Sequence, residues 1–205
     1  MEGVCQSGEG FGVGSFIFLK PPDDNARPYI GAVEAFTKGE AGEPCVRVMW
    51  VYRPEDVVGG RRAFHGAKEL FLSDHRDVVS VATVLGRCQV HSLRAFLALP
   101  RAVETDFFSR FSYAAGKKTF EPKRVPCFCT CVMPFNPDLA MVCCRVCADW
   151  FHPACLAMDE GETGRALVAA QAAGKCGEEL VEALLAREQN ADGKFTCPGC
   201  RAAGK

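Results

Sequence analysis

Eight soft metal ligands in the C-terminal part of the chain constrain its fold more than any other feature. They are Cys129, Cys131, Cys144, Cys147, His152, Cys155, Cys197 and Cys200. The gaps between them are one, twelve, two, four, two, forty-one and two residues. Eight such ligands suffice for two tetrahedral zinc sites in which protein groups fill every coordination position. We therefore predict two structural Zn²⁺ ions that stabilise the fold and do not activate water.

The order of the ligands predicts how the chain wraps around the two ions. In a cross-braced module the first and third ligand pairs share one metal, and the second and fourth pairs share the other. The two predicted sets are Cys129, Cys131, His152 and Cys155, and Cys144, Cys147, Cys197 and Cys200. So small a module buries too little apolar surface to fold alone, so metal binding supplies folding free energy.

Two neighbouring cysteines leave the ligand set open. Cys127 could replace Cys129 in the run C-F-C-T-C, and Cys143 could replace Cys144. Cys144 is favoured because it gives the two-residue gap to Cys147. Disulfides are the alternative use of many cysteines, but 13 is an odd number and the N-terminus lacks the basic and apolar regions of a signal peptide. The pattern favours zinc in a reducing compartment.

Length and composition indicate an ordinary globular chain of one or two domains. Its 205 residues are 48% hydrophobic and 24% charged. Residues 1–126 carry 17 basic and 15 acidic side chains, and residues 127–205 carry 7 and 10. Neither part has the dense basic stripe of a DNA-binding domain, so we expect no sequence-specific DNA binding. No run of about 18 apolar residues exists, so we expect no membrane association.

The N-terminal part alternates short apolar runs with turn residues. The candidate strands are residues 16–19, 29–36, 46–52, 78–85 and 88–91. No helical period fits residues 10–100, which favours a mainly β, barrel-like domain. Residues 101–125 have a weaker pattern and end in a basic, proline-containing connector, where we expect the domain junction.

Three aromatic residues of this part form a candidate binding site. Trp50 and Tyr52 are two residues apart on a predicted strand, so their side chains project from the same face. Tyr29 lies on the preceding strand and comes alongside them if the two strands form a hairpin. Aromatic faces at right angles form a box that attracts a methylated ammonium. By pattern alone, however, such aromatics more often belong to a barrel core.

Longer stretches of sequence resemble a known family. The runs R-P-Y-I at 27–30, V-R-V-M-W-V-Y-R-P-E-D at 46–56 and G-G-R-R-A-F-H-G-A-K-E-L-F-L-S-D-H-R-D-V at 59–78 resemble a bromo-adjacent homology (BAH) domain. With M-V-C-C-R-V-C-A-D-W-F-H-P-A-C at 141–155, the chain resembles the plant BAH–PHD histone readers of the SHORT LIFE and EARLY BOLTING IN SHORT DAYS type.

This resemblance implies an architecture and a function. It implies a mainly β BAH domain, a distorted barrel with short helices, at residues 10–125. A small cross-braced two-zinc PHD finger at 126–205, with a helical insertion at 159–194, would follow. The family binds histone H3 trimethyl-lysine 27 with the BAH domain and H3 di- or trimethyl-lysine 4 with the PHD finger. We therefore expect a nuclear, non-enzymatic chromatin reader in transcriptional regulation, with the nucleosome and co-repressor proteins as partners.

The resemblance also assigns BAH residues to peptide binding. The methyl-lysine cage falls on Tyr29, Trp50 and Tyr52, the trio that strand geometry indicates. His75 and Asp77 match positions that hold the peptide beside the methyl-lysine.

In the PHD finger, the resemblance assigns peptide binding to Phe128, Phe135, Met141 and Trp150. Residues 140–143 would form the strand along which the histone tail lies. Phe128 and Phe135 stand where close relatives have tyrosine, which removes two hydroxyl groups and favours a full trimethyl group. Leu139 replaces an acidic residue of the family, which removes one carboxylate from the peptide-binding rim.

Two other classes of function are compatible with the sequence. RING-type ubiquitin ligases are also cross-braced, and a nucleosome- or DNA-binding scaffold could use the same aromatics as core. Histidine as the fifth ligand favours a PHD finger over a common RING. Trp150 and Phe195, each two residues before a ligand, favour it as well.

Overall fold

The computed structural model describes residues 3–23, 27–157 and 195–204. The chain divides into two compact units, residues 1–124 and 125–205. The helical insertion predicted at 159–194 lies outside the described residues.

The first unit is built from nine strands and one short helix. The strands are β1 (Gly3–Val4), β2 (Gly10–Phe11), β3 (Phe16–Leu19), β4 (Tyr29–Lys38), β5 (Pro44–Tyr52), β6 (Glu69–Ser80), β7 (Val84–Ser92), β8 (Asp106–Ala114) and β9 (Thr119–Glu121). Helix α1 spans Leu93–Leu97, and 3₁₀ turns occupy Pro54–Asp56 and Val81–Thr83. Strands β3 to β9 form one sheet in the order β6-β5-β4-β3-β7-β8-β9. A parallel pairing of β6 with β8 closes this sheet into a barrel, which confirms the predicted mainly β fold.

Alternating apolar side chains fill the barrel. Ile17, Val46, Val48 and Val84 are fully buried in one cluster that spans β3, β5 and β7. Each such residue points inward while its chain neighbours point outward, as the two-residue period of a strand requires. Burial of each side chain contributes about 1.5–3 kcal/mol to the stability of the fold.

A buried ion pair ties the two strands that close the barrel. Glu69 of β6 has no exposed surface, and Arg110 of β8 reaches it at 2.7 Å with Nε and 3.0 Å with Nη2. The backbone N–H of Gly66 donates a third hydrogen bond to the carboxylate at 3.0 Å. The charged group is therefore fully hydrogen-bonded, which is the condition under which a carboxylate is retained in a core.

The strand predicted over residues 78–85 is wrong. Strand β6 ends at Ser80, the 3₁₀ turn follows, and β7 begins at Val84. The Ser80 hydroxyl accepts a hydrogen bond from the Ala82 N–H at 3.3 Å, and the Thr83 hydroxyl donates to the Ser80 carbonyl at 2.7 Å. These side-chain bonds turn the chain inside an apolar run that reads as one continuous strand.

Within residues 125–157 and 195–204, the second unit contains small elements. They are β10 (Cys127–Phe128), β11 (Met133–Pro134), β12 (Val142–Cys143), β13 (Trp150–Phe151), α2 (Pro153–Ala157) and α3 (Pro198–Ala202). Strand β10 pairs with β11, and β12 pairs with β13. Its apolar core is Val142, Phe151, Leu156 and Phe195. No described helix in either unit is long and apolar enough to cross a membrane.

Candidate functional site

The β4–β5 hairpin brings three aromatic side chains together. The two strands are antiparallel, with Ile30 opposite Val51 and Gly31 opposite Trp50, so the predicted hairpin is confirmed. The rings of Tyr29 and Trp50 have centroids 5.9 Å apart and are nearly perpendicular, at 88°. Tyr29 is 43% exposed, although burial is usual for an aromatic of a barrel. Tyr29 therefore faces outward, whereas Trp50 is half-buried and packs in part against the apolar cluster of the barrel; both rings line a surface cavity.

An irregularity in β6 adds His75 to the same walls. The register between β5 and β6 shifts between Met49 and Val51. Ser73 holds this point, because its hydroxyl donates to the Trp50 carbonyl at 2.8 Å and accepts from the His75 N–H at 3.1 Å. Bulges commonly redirect side chains in this way. The His75 ring consequently lies 6.4 Å from Trp50 and 6.2 Å from Tyr52, measured between centroids.

The walls enclose an open cavity of about 440 Å³. This volume lies in the roughly 300–1,000 Å³ range of pockets that bind small groups. All five BAH residues predicted from the sequence line it: Tyr29, Trp50, Tyr52, His75 and Asp77. Sequence reasoning missed two charged residues that also line the cavity, Arg53 and Asp56.

Asp56 reaches the cavity through a local turn. Pro54 starts the 3₁₀ turn that follows Tyr52, and the Arg53 N–H donates to the Asp56 carboxylate at 3.3 Å. The run R-P-E-D directly after the strand carries this signal, since proline at the start of a turn and aspartate two residues later are common capping choices. Asp56 and Asp77 place two carboxylates on the cavity wall and Arg53 places one guanidinium there, so the lining has a net negative charge, which favours a cationic ligand.

Tyr52 remains a neutral phenol in this setting. Burial raises the pKa of the Tyr52 hydroxyl, and the nearby Tyr113, Asp56 and Asp74 raise it further. The cavity therefore offers π-faces, two carboxylates, one guanidinium, an imidazole and a neutral hydroxyl. The π-faces and carboxylates suit the binding of an organic cation.

The second unit holds two clusters of potential metal ligands. The clusters are Cys129, Cys131, His152 and Cys155, and Cys144, Cys147, Cys197 and Cys200. Within each cluster the ligand atoms lie within 4.8 Å of one another. In sequence order, the first and third ligand pairs form one cluster and the second and fourth pairs form the other, as the cross-braced pattern predicts. Either cluster could hold one metal ion.

Backbone N–H groups stabilise the thiolate form in both clusters. The His152 N–H lies 3.4 Å from Cys129 Sγ, and the Cys197 N–H lies 3.3 Å from Cys144 Sγ. Burial raises the pKa of Cys144, but the N–H groups of Cys147, Cys197 and Val146 outweigh it and lower the pKa to about 6. Because the thiolate is the metal-binding form, Cys129 and Cys144 are the cysteines best suited to bind a soft metal ion. In the same clusters, burial raises the pKa of Cys155 and the hydrogen bond with Cys197 raises the pKa of Cys200, each to about 12.

His152 is oriented for coordination through Nδ1. This nitrogen lies 3.5 Å from Cys131 Sγ and 3.8 Å from Cys155 Sγ. Burial lowers the pKa of His152, which keeps the imidazole in the neutral form that metals bind. The two alternative cysteines lie outside the clusters, with the exposed Cys127 directed at the Val125 carbonyl and Cys143 at the Cys144 carbonyl.

The four predicted PHD peptide residues lie on different elements of the second unit. Phe128 is on β10, Phe135 follows β11, Met141 precedes β12, and Trp150 is on β13 opposite Cys143. Trp150 is 44% exposed, whereas its neighbour Phe151 is buried against Phe195 at 5.9 Å. Of the peptide-binding strand expected at 140–143, residues 142–143 are extended and pair with β13.

Comparison with known proteins places this geometry in a family. The BAH domain family matches residues 9–124. The chain is 45% identical over 145 residues to the chromatin remodeling protein EBS and over 144 residues to the chromatin remodeling protein SHL, both of Arabidopsis thaliana. The matches cover 71% and 70% of this chain, and 62% and 63% of the relatives.

Among solved structures, the yeast Rsc2 BAH domain resembles the chain with a TM-score of 0.48 and 21% identity, covering 60% of this chain and 54% of that domain. The matched segments span about three fifths of the two plant relatives. The chain belongs to the BAH domain family and is a relative of the plant chromatin remodeling proteins EBS and SHL.

Proposed function

We propose that the chain is a nuclear chromatin reader whose BAH domain binds trimethyl-lysine 27 of histone H3. The observation that carries the proposal is the box of Tyr29, Trp50 and Tyr52 beside His75, whose rings line one surface cavity. Ring faces attract a quaternary ammonium, and its methyl groups pack on the same faces. Asp56 and Asp77 add two negative charges to the wall and Arg53 adds one positive charge, so the wall keeps a net negative charge.

The strength of this interaction follows from the exposure of the box. Cation–π contacts contribute about 0.5–1 kcal/mol when exposed and about 2 kcal/mol or more when desolvated. Tyr29 is 43% exposed, so only part of the box is shielded from water. A few such contacts give weak binding. We expect a dissociation constant near 1 μM, which corresponds to a binding free energy of about −8 kcal/mol.

The second unit is proposed to be a PHD finger that binds two Zn²⁺ and the H3 tail methylated at lysine 4. Two closed sets of four thiol and imidazole ligands match the preference of structural zinc. The exposed Trp150 beside β12 supports a cage wall, with Phe128, Phe135 and Met141 as further contacts. The tail would add as a strand along residues 140–143. Phenylalanine at 128 and 135 favours trimethyl-lysine, because it offers a π-face without a hydroxyl.

The biological setting comes from the relatives. Both plant relatives are chromatin remodeling proteins by name, which supports a chromatin-associated role and a nuclear location. The nucleosome and co-repressor proteins are the partners that we propose. The domain limits 10–125 and 126–205, with the insertion at 159–194, belong to the same proposal. We assign no catalytic activity.

Peptide titrations with single variants test the proposal. The Trp50→Ala variant should lose the lysine-27 peptide and retain the lysine-4 peptide, and the Trp150→Ala variant should do the reverse. Zinc content of each variant, measured by atomic absorption, controls for folding of the second unit. Ubiquitin discharge from a charged conjugating enzyme would instead favour a RING-type ligase.

A further inference from the structure

The first unit carries a second cavity, of about 210 Å³, separate from the aromatic box. Its floor is aromatic, with the partly exposed Phe64 and Phe120 and the buried Phe111, and its rim carries the exposed Arg62 and Lys123. The Arg110 guanidinium lies 5.9 Å from the Phe64 ring centroid and 5.3 Å from that of Phe111, so Phe120 and one face of Phe64 are the surfaces open to a ligand. The volume is below the roughly 300–1,000 Å³ of pockets for drug-sized ligands. It therefore suits one planar ring and not an extended ligand.

The charges around this cavity are positive and only partly neutralised. Arg61 pairs with Glu55 at 2.8 Å, and Arg110 pairs with Glu69 at 2.7 Å. Arg62 and Lys123 form no ion pair with any residue that the structure describes. The two rim cations therefore remain available to an anion.

A histidine in the same wall is neutral because of burial first and of the nearby arginines second. Burial lowers the pKa of His65 from its ordinary 6.5 to about 4, and Arg110, Arg61 and Arg62 contribute to the decrease. His65 is thus neutral at physiological pH, and its Nδ1 accepts the Arg62 backbone N–H at 3.0 Å. The Arg62 guanidinium is not used in that hydrogen bond.

We propose that this cavity binds single-stranded nucleic acid, with a base against the phenylalanine floor and the adjoining phosphates on Arg62 and Lys123. Proteins that bind single strands combine aromatic rings for base stacking with a cationic groove for the backbone. A phosphopeptide would supply the anion but has no ring for the floor. Duplex DNA keeps its bases stacked inside and would engage the rim alone.

Further cations lie along the strand that borders the cavity. Lys117 and Lys118 are exposed in the turn between β8 and β9, and Lys123 and Arg124 follow β9 at its other end. Phe120, in the middle of β9, contributes to the cavity floor. Positive charge therefore continues on both sides of the aromatic floor, as a chain of successive phosphates requires.

Fluorescence anisotropy with a labelled oligouridine of about 12 nucleotides tests the proposal, using the intact, zinc-loaded chain between 50 and 200 mM salt. The variant Arg62→Gln/Lys123→Gln removes both rim charges and leaves the backbone hydrogen bond of residue 62 in place. We expect weaker binding and a log–log salt slope that is shallower by about 1.4, because each phosphate contact on a single strand contributes about 0.7. Arg94→Gln on α1, outside the cavity, removes an equivalent charge and should leave binding and slope unchanged.

An abasic oligomer with the same number of phosphates separates stacking from charge. It should bind roughly fivefold or more weakly than oligouridine, since stacking on aromatic side chains supports each base. Equal affinity of the wild type and the double variant would overturn the proposal. So would equal affinity for abasic or duplex probes, or effective competition by a phosphoserine peptide. Lysine-27 peptide binding by the double variant should be unchanged, which separates this test from that of the reader function.

Discussion

The hydroxyl oxygen of Tyr52 lies 2.6 Å from Nδ1 of His75, and the two rings are nearly parallel, at 10°. Tyr52 ends β5, whereas His75 lies on the bulged part of β6. The hydrogen bond therefore joins two walls of the cavity that come from different strands, and it fixes the orientation of both rings before a ligand arrives.

Removal of the Tyr52 hydroxyl should weaken lysine-27 peptide binding without abolishing it. The Tyr52→Phe variant keeps the ring face and loses one hydrogen bond, which contributes about 0.5–1.5 kcal/mol, so we expect a roughly two- to tenfold loss of affinity. Tyr52→Ala removes the wall and should abolish binding. Calorimetric titration measures both effects. Wild-type affinity of Tyr52→Phe would show that the bond to His75 does not organise the site.

The buried pair of Glu69 and Arg110 should dominate the electrostatic contribution to stability. Glu69→Gln leaves the Arg110 guanidinium buried without its counterion, which we expect to cost about 3–5 kcal/mol of unfolding free energy. Urea denaturation measures this value. Arg76→Gln is the matched control, because its pair with Glu34 is on the surface, with the arginine side chain 54% exposed, and such pairs contribute about 1 kcal/mol or less. Similar losses of unfolding free energy for the two variants would contradict the dominant role of the buried pair.

His65 should make stability depend on pH in the acidic range. Its pKa is about 4 in the folded chain and 6.5 ordinarily, so between these values the unfolded chain binds a proton at this position and the folded chain does not. Stability is therefore complete above pH 6.5 and decreases as the pH falls towards 4. His65→Asn retains an acceptor near Nδ1 and removes the titration. Denaturation curves between pH 7 and 4 should show a smaller loss for this variant than for the wild type.

Metal removal should separate the two units functionally. Both ligand clusters found among the described residues lie in the second unit, so a chelator should release two Zn²⁺ per chain and abolish lysine-4 peptide binding. Lysine-27 peptide binding should persist, because the residues proposed to bind that peptide lie on the β-barrel. Loss of both activities on chelation would mean that the barrel depends on the zinc module.

Some features of the site follow from local sequence, and others depend on long-range folding. Trp50 and Tyr52 share a face because a strand has a two-residue period, and Tyr29 joins them through a hairpin between consecutive strands. The prediction of His75 as a site residue rests on the family resemblance alone. Its position in the cavity depends on the hydrogen bonds that Ser73 makes at the bulge. No periodic pattern in the sequence indicates such a bulge.

Non-local contacts account for what sequence reasoning missed. The barrel closes through a parallel pairing of β6 with β8, which no hairpin rule predicts. Strand β8 lies within residues 101–125, where the apolar pattern is weak, because Asp106 and Arg110 interrupt it to form polar contacts with His91 and Glu69. Arg62 and Lys123 are far apart in the sequence, so the cavity that they share becomes visible only in the fold.

The charge on the ligand is the quantity that tests the aromatic box most directly. Calorimetry should compare an H3 peptide that carries trimethyl-lysine 27 with the same peptide in which a carbon atom replaces the quaternary nitrogen. The two side chains have the same shape, and only the first is a cation. We predict that the neutral peptide binds roughly tenfold or more weakly, because its contacts lack the cation–π attraction. Equal affinity for the two peptides would contradict the account.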